Sequence, residues 1–341
     1  MSFDIHTADP EYDASPTTPS GASQDVTSRL LARPKLAARA GALMGVRQQE
    51  EAKYRLSENE KDETHPAGWA FGLAVALVRC TLKASGFFRR GVRNAKRYRV
   101  VSRTLAVPDL PDDLDGFRLL HISDFHLPRR VPEVARAMGK MLEGVETDVC
   151  VLTGDYRFGY YGPPEHIIDQ LRVILAGVRS RYGVATVLGN HDTFNMGQML
   201  ENAGFPILFN EGIGLNIGST AVWICGVDET HNYGCDRIEA AVRDAPDKAF
   251  KILLAHTPER VRKAEAHGVA VYLTGHTHGG QIRLPIVGAL LKNARCARSQ
   301  VWGAWRYKRM VGHTTCGIGV TDVPVRFNCP PEAVLLVLRR L

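Results

Sequence analysis

Val149-Cys150-Val151-Leu152-Thr153-Gly154-Asp155 is a short apolar run that breaks at a glycine and delivers a carboxylate. Consecutive apolar residues rich in valine fit a strand covered on both faces, and the glycine lets the backbone turn sharply off its end. The same phrase recurs with other donors. Phe117–Ile122 leads into Asp124-Phe125-His126, Val184–Leu188 into Gly189-Asn190-His191-Asp192, Lys251–Ala255 into His256, and Val269–Leu273 into Gly275-His276-Thr277-His278. Ala221–Cys225 reads as a further strand. Pro132–Leu142, Glu165–Val178, Gly197–Ala203 and Arg237–Val242 read as helices between the strands. Strands alternating with helices predict a layered α/β domain. In open α/β sheets, ligand sites collect beyond the C-terminal ends of the strands, so blocks far apart in sequence converge there.

Read in order, these blocks supply two carboxylates, an amide and several imidazoles, the ligand set of a two-metal hydrolytic site. Any one block has an ordinary reading, since a histidine after a strand is commonly a core residue. Five of them in register on strand ends are not explained that way. Mixed oxygen and nitrogen donors suit Mn, Fe or Zn better than Mg or Ca, which prefer oxygen cages. Two histidines compete for the fourth block. His256 ends an apolar strand, whereas His267-Gly268 reads as a helix C-terminus, so His256 is the expected ligand.

The 341 residues are 45% hydrophobic, enough for a sizeable core, and the seven cysteines show no paired spacing, which fits a reducing compartment without a disulfide framework. The net charge of +7 is unevenly spread: residues 1–66 sum to −3, residues 67–108 hold nine Lys/Arg and no acid, and the remainder sums to +1. The first 25 residues are polar and predicted disordered, and Met1–Gly21 lacks the basic and apolar regions of a secretory signal. Arg29–Glu63 has helix-forming composition. The expected organisation is therefore an N-terminal extension over 1–66, an apolar then basic helical segment over 67–108, and a catalytic domain over 109–341.

From Trp69 to Val78 the chain is apolar or glycine, but Arg79 and Lys83 end the run well short of the roughly 18 to 20 residues of a spanning helix. As one helix, Trp69–Arg97 would align Arg79, Lys83, Arg90, Arg93 and Arg97 on one stripe. Two readings stay open: an interfacial helix on anionic lipid, involving residues 69–103, or a helix packed on the domain with a solvated basic face. Insertion of Trp69–Val78, with its positive flank on the C-terminal side, would put the catalytic domain in the cytoplasm, and a surface-bound helix would put it there too, so the expected location is cytoplasmic, peripheral at the inner face of the membrane.

The order of motifs, D-x-H, G-D, G-N-H-[DE], H and G-H-x-H, resembles the calcineurin-like metallophosphoesterase family over roughly residues 115–341. The resemblance implies a four-layer αββα sandwich, two packed mixed sheets flanked by helices. It implies two divalent metal ions: Asp124, His126, Asp155 and His278 on the first, and Asp155, Asn190, His256 and His276 on the second, with Asp155 bridging and a hydroxide between the ions attacking phosphorus. It makes His191 the catalytic group that protonates the leaving oxygen or stabilises the developing charge. One position departs from the pattern. Where many relatives carry an acid three residues after the bridging aspartate, this chain has Phe158, which leaves Asp192 as the candidate to orient His191. Arg157 and Arg326 are candidate contacts for a substrate anion, and the loops Tyr156–Pro164 and Ile282–Lys308 are expected to set specificity.

Gly275-His-Thr-His-Gly-Gly-Gln281, Gly317-Ile-Gly319 and Pro324–Glu332 before an apolar terminal strand resemble the bacterial YkuE-like branch. That branch includes membrane-associated phosphodiesterases and a UDP-2,3-diacylglucosamine pyrophosphatase. The resulting expectation is a phosphodiesterase or pyrophosphatase acting on a phosphorylated small molecule or a lipid-linked substrate. The alternatives are a nuclease that grips nucleic acid with the basic segment, and a non-catalytic binding protein on the same fold.

Overall fold

In the computed structural model, residues 25–63, 66–129, 131–159, 164–289, 292–321 and 323–341 are described; residues 1–24, expected to be disordered, lie outside these, as do the Trp69 side chain and part of the loop Tyr156–Pro164. Eleven strands longer than two residues build two sheets: β1 (Arg99–Val107), β2 (Arg118–Ile122), β3 (Val149–Leu152), β4 (Val184–Thr186), β5 (Glu211–Ile217), β6 (Thr220–Gly226), β7 (Phe250–Leu254), β8 (Val269–Thr274), β9 (Gly303–Tyr307), β10 (Met310–Thr314) and β11 (Glu332–Arg340). The first sheet has the order β1-β11-β2-β3-β4 and the second β9-β10-β8-β7-β6-β5. In the first, β2, β3 and β4 run parallel while β11 enters antiparallel to β2. In the second, β6, β7, β8 and β10 run parallel and the two edges are antiparallel.

The two-residue alternation of strands explains the layers. Leu119, Val149 and Val151 of the first sheet meet Ile224, Ile252, Val271 and Leu273 of the second in one buried cluster. Their neighbours Leu120, Ile122, Cys150 and Leu152 face the opposite way, under Met138, Leu142, Leu171, Ile174 and Leu200 of the helices Pro132–Leu142, Glu165–Leu175 and Phe194–Asn202. On the far side of the second sheet, Cys225, Leu253 and Tyr272 lie under Ile238 and Ala241 of one helix and Val261 and Ala264 of another. The fold is thus a helix-sheet-sheet-helix sandwich. A register slip of one residue in β3 would exchange its two buried sets, so the pairing is fixed from both faces.

The stretch 67–108 does not behave as one segment. Arg99–Val107 is β1, pairing residue by residue with β11 from Arg99 opposite Glu332 to Val107 opposite Arg340. This corrects the boundary at 109, because the first strand of the domain lies ahead of it. Its Ser102, Arg103 and Thr104 are exposed, which gives an edge strand the composition of a basic linker. The single helix Trp69–Arg97 is corrected too. The chain forms the helices Pro66–Ala84 and Phe87–Asn94, separated at Gly86, whose φ of 74° ends the first. The five-residue basic stripe therefore does not exist as one helical face. No helix among the described residues is long and apolar enough to cross a membrane.

The extension before it docks on the domain. Asp25 caps the helix Val26–Leu31, accepting from the amides of Thr27 and Ser28, and Val26 and Leu30 enter the inter-sheet core. The Leu36 amide donates to Glu201 Oε1 at 2.7 Å.

Candidate metal centre

Five strand ends bring seven donors together. Asp124 and His126 follow β2, Asp155 follows β3, Asn190 follows β4, His256 follows β7, and His276 and His278 follow β8. All are buried. The backbone reaches this arrangement under strain: Asp124, His126, Asp155, His276 and His278 have φ of 52°, 43°, 57°, 66° and 50°. Non-glycine residues in this region cost of order 1–3 kcal/mol each and persist where surrounding structure enforces them, typically at functional sites. Glycine is required beside them. A Cβ on Gly189 would overlap the Asp155 carboxylate, and one on Gly275 would overlap Ser123 and the Asp124 carboxylate.

The donors form two overlapping sets. In one, His126 Nε2 lies 3.0 Å from His278 Nε2 and 3.5 Å from Asp155 Oδ2, and His278 Nε2 lies 3.4 Å from Asp124 Oδ1. In the other, Asn190 Oδ1 lies 3.0 Å from His256 Nε2 and 2.9 Å from His276 Nδ1, while His256 Nε2 lies 3.2 Å from Asp155 Oδ2. Asp155 Oδ2 belongs to both. The tautomers of two imidazoles are set from behind: His256 Nδ1 donates to the Thr153 carbonyl and His276 Nε2 to the Asn293 carbonyl, each at 2.6 Å. This turns His256 Nε2 and His276 Nδ1 lone pairs inward, as cation ligands require. Lone pairs crowded within hydrogen-bond distance of one another, buried and short of donors, are what divalent cations neutralise. The residues present therefore fit metal.

Titration follows the same logic. Burial pushes Asp124 up to about 7. Burial alone would depress His256, but the Asp155 carboxylate outweighs it and lifts the imidazole to about 10. Burial holds His126 down to about 3 and lowers His276 and His278. Cations entering this cluster displace protons from Asp124 and His256.

His191 sits at the mouth. Its side chain is 15% exposed, its Nε2 is 3.9 Å from Asp155 Oδ2, and its ring meets His126 edge-on at 4.7 Å. Its amide donates to Asp155 Oδ1 at 2.9 Å.

The calcineurin-like phosphoesterase family model matches residues 117–280, spanning all these blocks. An uncharacterized metallophosphoesterase of Helicobacter pylori is 30% identical over 74% of this chain and 67% of its own length. The chain belongs to the calcineurin-like phosphoesterase family. The metallophosphoesterase YkuE of Bacillus subtilis is 28% identical over 67% of this chain and 82% of its own. The phosphodiesterase YaeI of Escherichia coli is 26% identical over 67% and 84%.

As a member of the calcineurin-like family the chain is a metal-dependent phosphoester hydrolase, and its site departs from the sequence reading at two positions. Asp192, expected to orient His191, instead accepts from the backbone amides of Asp155, Tyr156 and Gly189 at 2.7–3.0 Å, tying two ligand loops together. Arg326, expected as a contact for a substrate anion, is instead wholly buried, and its guanidinium donates to the carbonyls of Cys316, Gly317, Gly319 and Cys329. Gly319 in turn donates to the Asp124 carbonyl at 2.6 Å, so Arg326 braces the first ligand loop. Phe158 lies half exposed with its ring edge-on to His126 at 6.5 Å, a packing role in place of a charge. Arg157 is buried, and its Nε donates to the Gly159 carbonyl at 3.0 Å.

Other phosphoesterase contacts had no sequence signal. Arg47, from the helix Ala42–Glu63, is fully buried beside the centre. It pairs with Asp228 and Glu51, donates to the Asp192 carbonyl at 2.6 Å, and lies 4.0 Å over the Tyr233 ring. The Tyr233 hydroxyl donates to the Asn190 carbonyl at 2.9 Å. A lone arginine in a helix without an apolar stripe gives no warning of this. His231 likewise packs against His276, the rings tilted by 49° with centroids 4.6 Å apart, and holds Glu259 through Nδ1 at 2.6 Å.

Proposed function

We propose that this phosphoesterase is a dinuclear enzyme that hydrolyses a phosphodiester or pyrophosphate bond, in a lipid-linked substrate such as UDP-2,3-diacylglucosamine presented at a membrane face. The observation that carries the reading is the sharing of Asp155 Oδ2 between two buried donor sets, each assembled from the strand ends of both sheets. Asp124, His126, Asp155 and His278 would hold one cation, and Asp155, Asn190, His256 and His276 the other. Bound there, two divalent ions polarise phosphoryl oxygens and acidify water to a nucleophile near neutral pH.

The chain's own residues do the rest. The Thr153 and Asn293 carbonyls fix which imidazole nitrogen faces inward. Asp192 holds the Asp155 and Gly189 turns in register, so the shared carboxylate does not swing away from either set. His191, at the solvent side of Asp155, is the group whose Nε2 would hand a proton to the leaving oxygen. The phosphodiesterase name of YaeI and the basic segment ahead of the domain support the choice of substrate class.

The test is hydrolysis of bis-p-nitrophenyl phosphate and of a nucleotide-sugar lipid by the Mn-loaded chain, with chelation and restoration by Mn, Fe or Zn as the control. Turnover that disappears with chelator and returns with metal is expected. Two bound metals per chain without hydrolysis of either substrate would overturn the reading.

A further inference from the structure

Two basic segments distant in sequence meet beside the metal centre, and each carries exposed apolar side chains. Residues 67–108 hold nine Lys/Arg and no acid, and residues 279–305 hold Arg283, Lys292, Arg295 and Arg298 and no acid. Because the whole chain carries only +7, everything outside these two segments is net negative. The charge is presented outward: Arg79, Lys83, Arg89, Arg90, Arg93, Lys96 and Arg97 are exposed, and so are Lys292, Arg295 and Arg298.

The apolar side chains are also outward. On the helices Pro66–Ala84 and Phe87–Asn94, Leu73 is 53% exposed, Leu77 65% and Phe87 50%. On the hairpin Arg283–Ala289, Ile286 stands entirely clear of the surface and Val287 is 54% exposed. Ile286 has a φ of 66°, a conformation unfavourable to a β-branched residue. The hairpin is braced at its root, where Arg283 donates to the Gly279 carbonyl at 2.9 Å and lies 5.0 Å over the Trp302 ring.

Phe327 joins the two segments. Its ring meets Phe87 edge-on at 6.3 Å, its amide donates to the Gln281 carbonyl at 3.1 Å, and its carbonyl accepts from Arg283 at 3.0 Å. The helix Phe87–Asn94 is pressed close on this strip, since a Cβ on Gly91 would collide with Val325 and Phe327. The surface borders the site directly: the hairpin leaves the chain just after His278, and Asn293 in the following loop holds His276.

We infer that the helices Pro66–Asn94 and the hairpin Arg283–Ala289 form one docking surface for an anionic lipid bilayer, the hairpin tip entering the interface beside the metal centre. Basic side chains are drawn to anionic headgroups, while aliphatic tips at their centre gain only where hydrocarbon receives them. Nucleic acid would reward basic grooves lined by stacking aromatics, and among the described exposed apolar side chains of this surface only Phe87 is aromatic. The inference rests on the phosphoesterase reading for what docking delivers to the metals, but not for the docking itself.

The experiment is flotation of the Mn-loaded full chain with phosphatidylcholine vesicles, with and without phosphatidylglycerol, at low and high salt. Binding only to the anionic vesicles, weakened by salt, is expected. Ile286→Asp with Val287→Asp, and separately Arg89→Glu with Arg90→Glu and Arg93→Glu, should each reduce binding by about tenfold or more. Both sets change exposed side chains, and unchanged thermal unfolding shows that the fold is kept. No flotation, flotation indifferent to the hairpin pair, or a salt-sensitive DNA shift without flotation would overturn the inference. Hydrolysis of a soluble diester, measured in parallel on the unsubstituted chain, reports on the catalytic reading alone, so the two failures are told apart.

Discussion

Two buried polar clusters lie on either side of the loop Gly189–Asp192, and they are built on opposite principles. In the Asp124–His278 cluster, carboxylate, amide and imidazole acceptors crowd together at 2.9–3.5 Å with few protons to share. In the Arg47 cluster, one guanidinium meets the Asp228 and Glu51 carboxylates, a carbonyl and an aromatic face, so its charges close on themselves. Burial alone would mark both as functional. The balance of charge separates them: the first is a crowd of acceptors that fits cations, and the second already holds its own cation in Arg47.

Substitutions can break that distinction, and the largest effect belongs to the shared carboxylate. Asp155→Ala should empty both cation positions, with metal content by elemental analysis falling below one ion per chain. Hydrolysis should then drop by more than the about 10⁴-fold expected of a single acid–base group. Arg47→Met removes the partner of a buried carboxylate and should cost about 3–5 kcal/mol in denaturant unfolding. An unchanged midpoint would mean that the second cluster is not closed as described.

His191→Ala should lower kcat by about 10²–10⁴-fold while two metals remain bound. Loss of metal with it would move His191 from chemistry into the ligand framework. The smallest effect is a proton count. Below pH 7, Asp124 and His256 both carry a proton before cations bind, since their values are about 7 and about 10; between 7 and 10 only His256 does. Binding of the metal pair should therefore release about two protons at pH 6 and about one at pH 8, and affinity should fall as pH falls. Titration calorimetry in buffers of different ionisation enthalpy reads the difference. The same proton release at both pH values would contradict it.

The strands that carry ligands were legible because each is largely buried on both faces and reads as a mainly apolar run, most plainly in Val149–Leu152. β1 was not. With Ser102, Arg103 and Thr104 exposed, it looks like linker until β11, more than two hundred residues later, pairs with it. Helices in the extension were readable from composition, but their docking was not, since Val26, Leu30 and Arg47 are too sparse to form a stripe. Asp192 and Arg326 show a second limit. Both have residue types suited to orienting a catalytic group or binding an anion, yet both are spent on backbone amides or carbonyls. Residue type shows what a side chain could bind, while its burial and neighbours decide what it does bind.

The sequence by itself determined the α/β class, the family and the order in which the donors arrive, because strand periodicity and the turn glycines are local properties of the chain. Only the tertiary structure decided that Asp155 stands between two donor sets, that Arg47 closes a cluster behind them, and that Phe87 and Arg283 share a surface through Phe327. Those are meetings across long sequence separations. They depend on where two sheets and the helices around them come to rest, which no local pattern records.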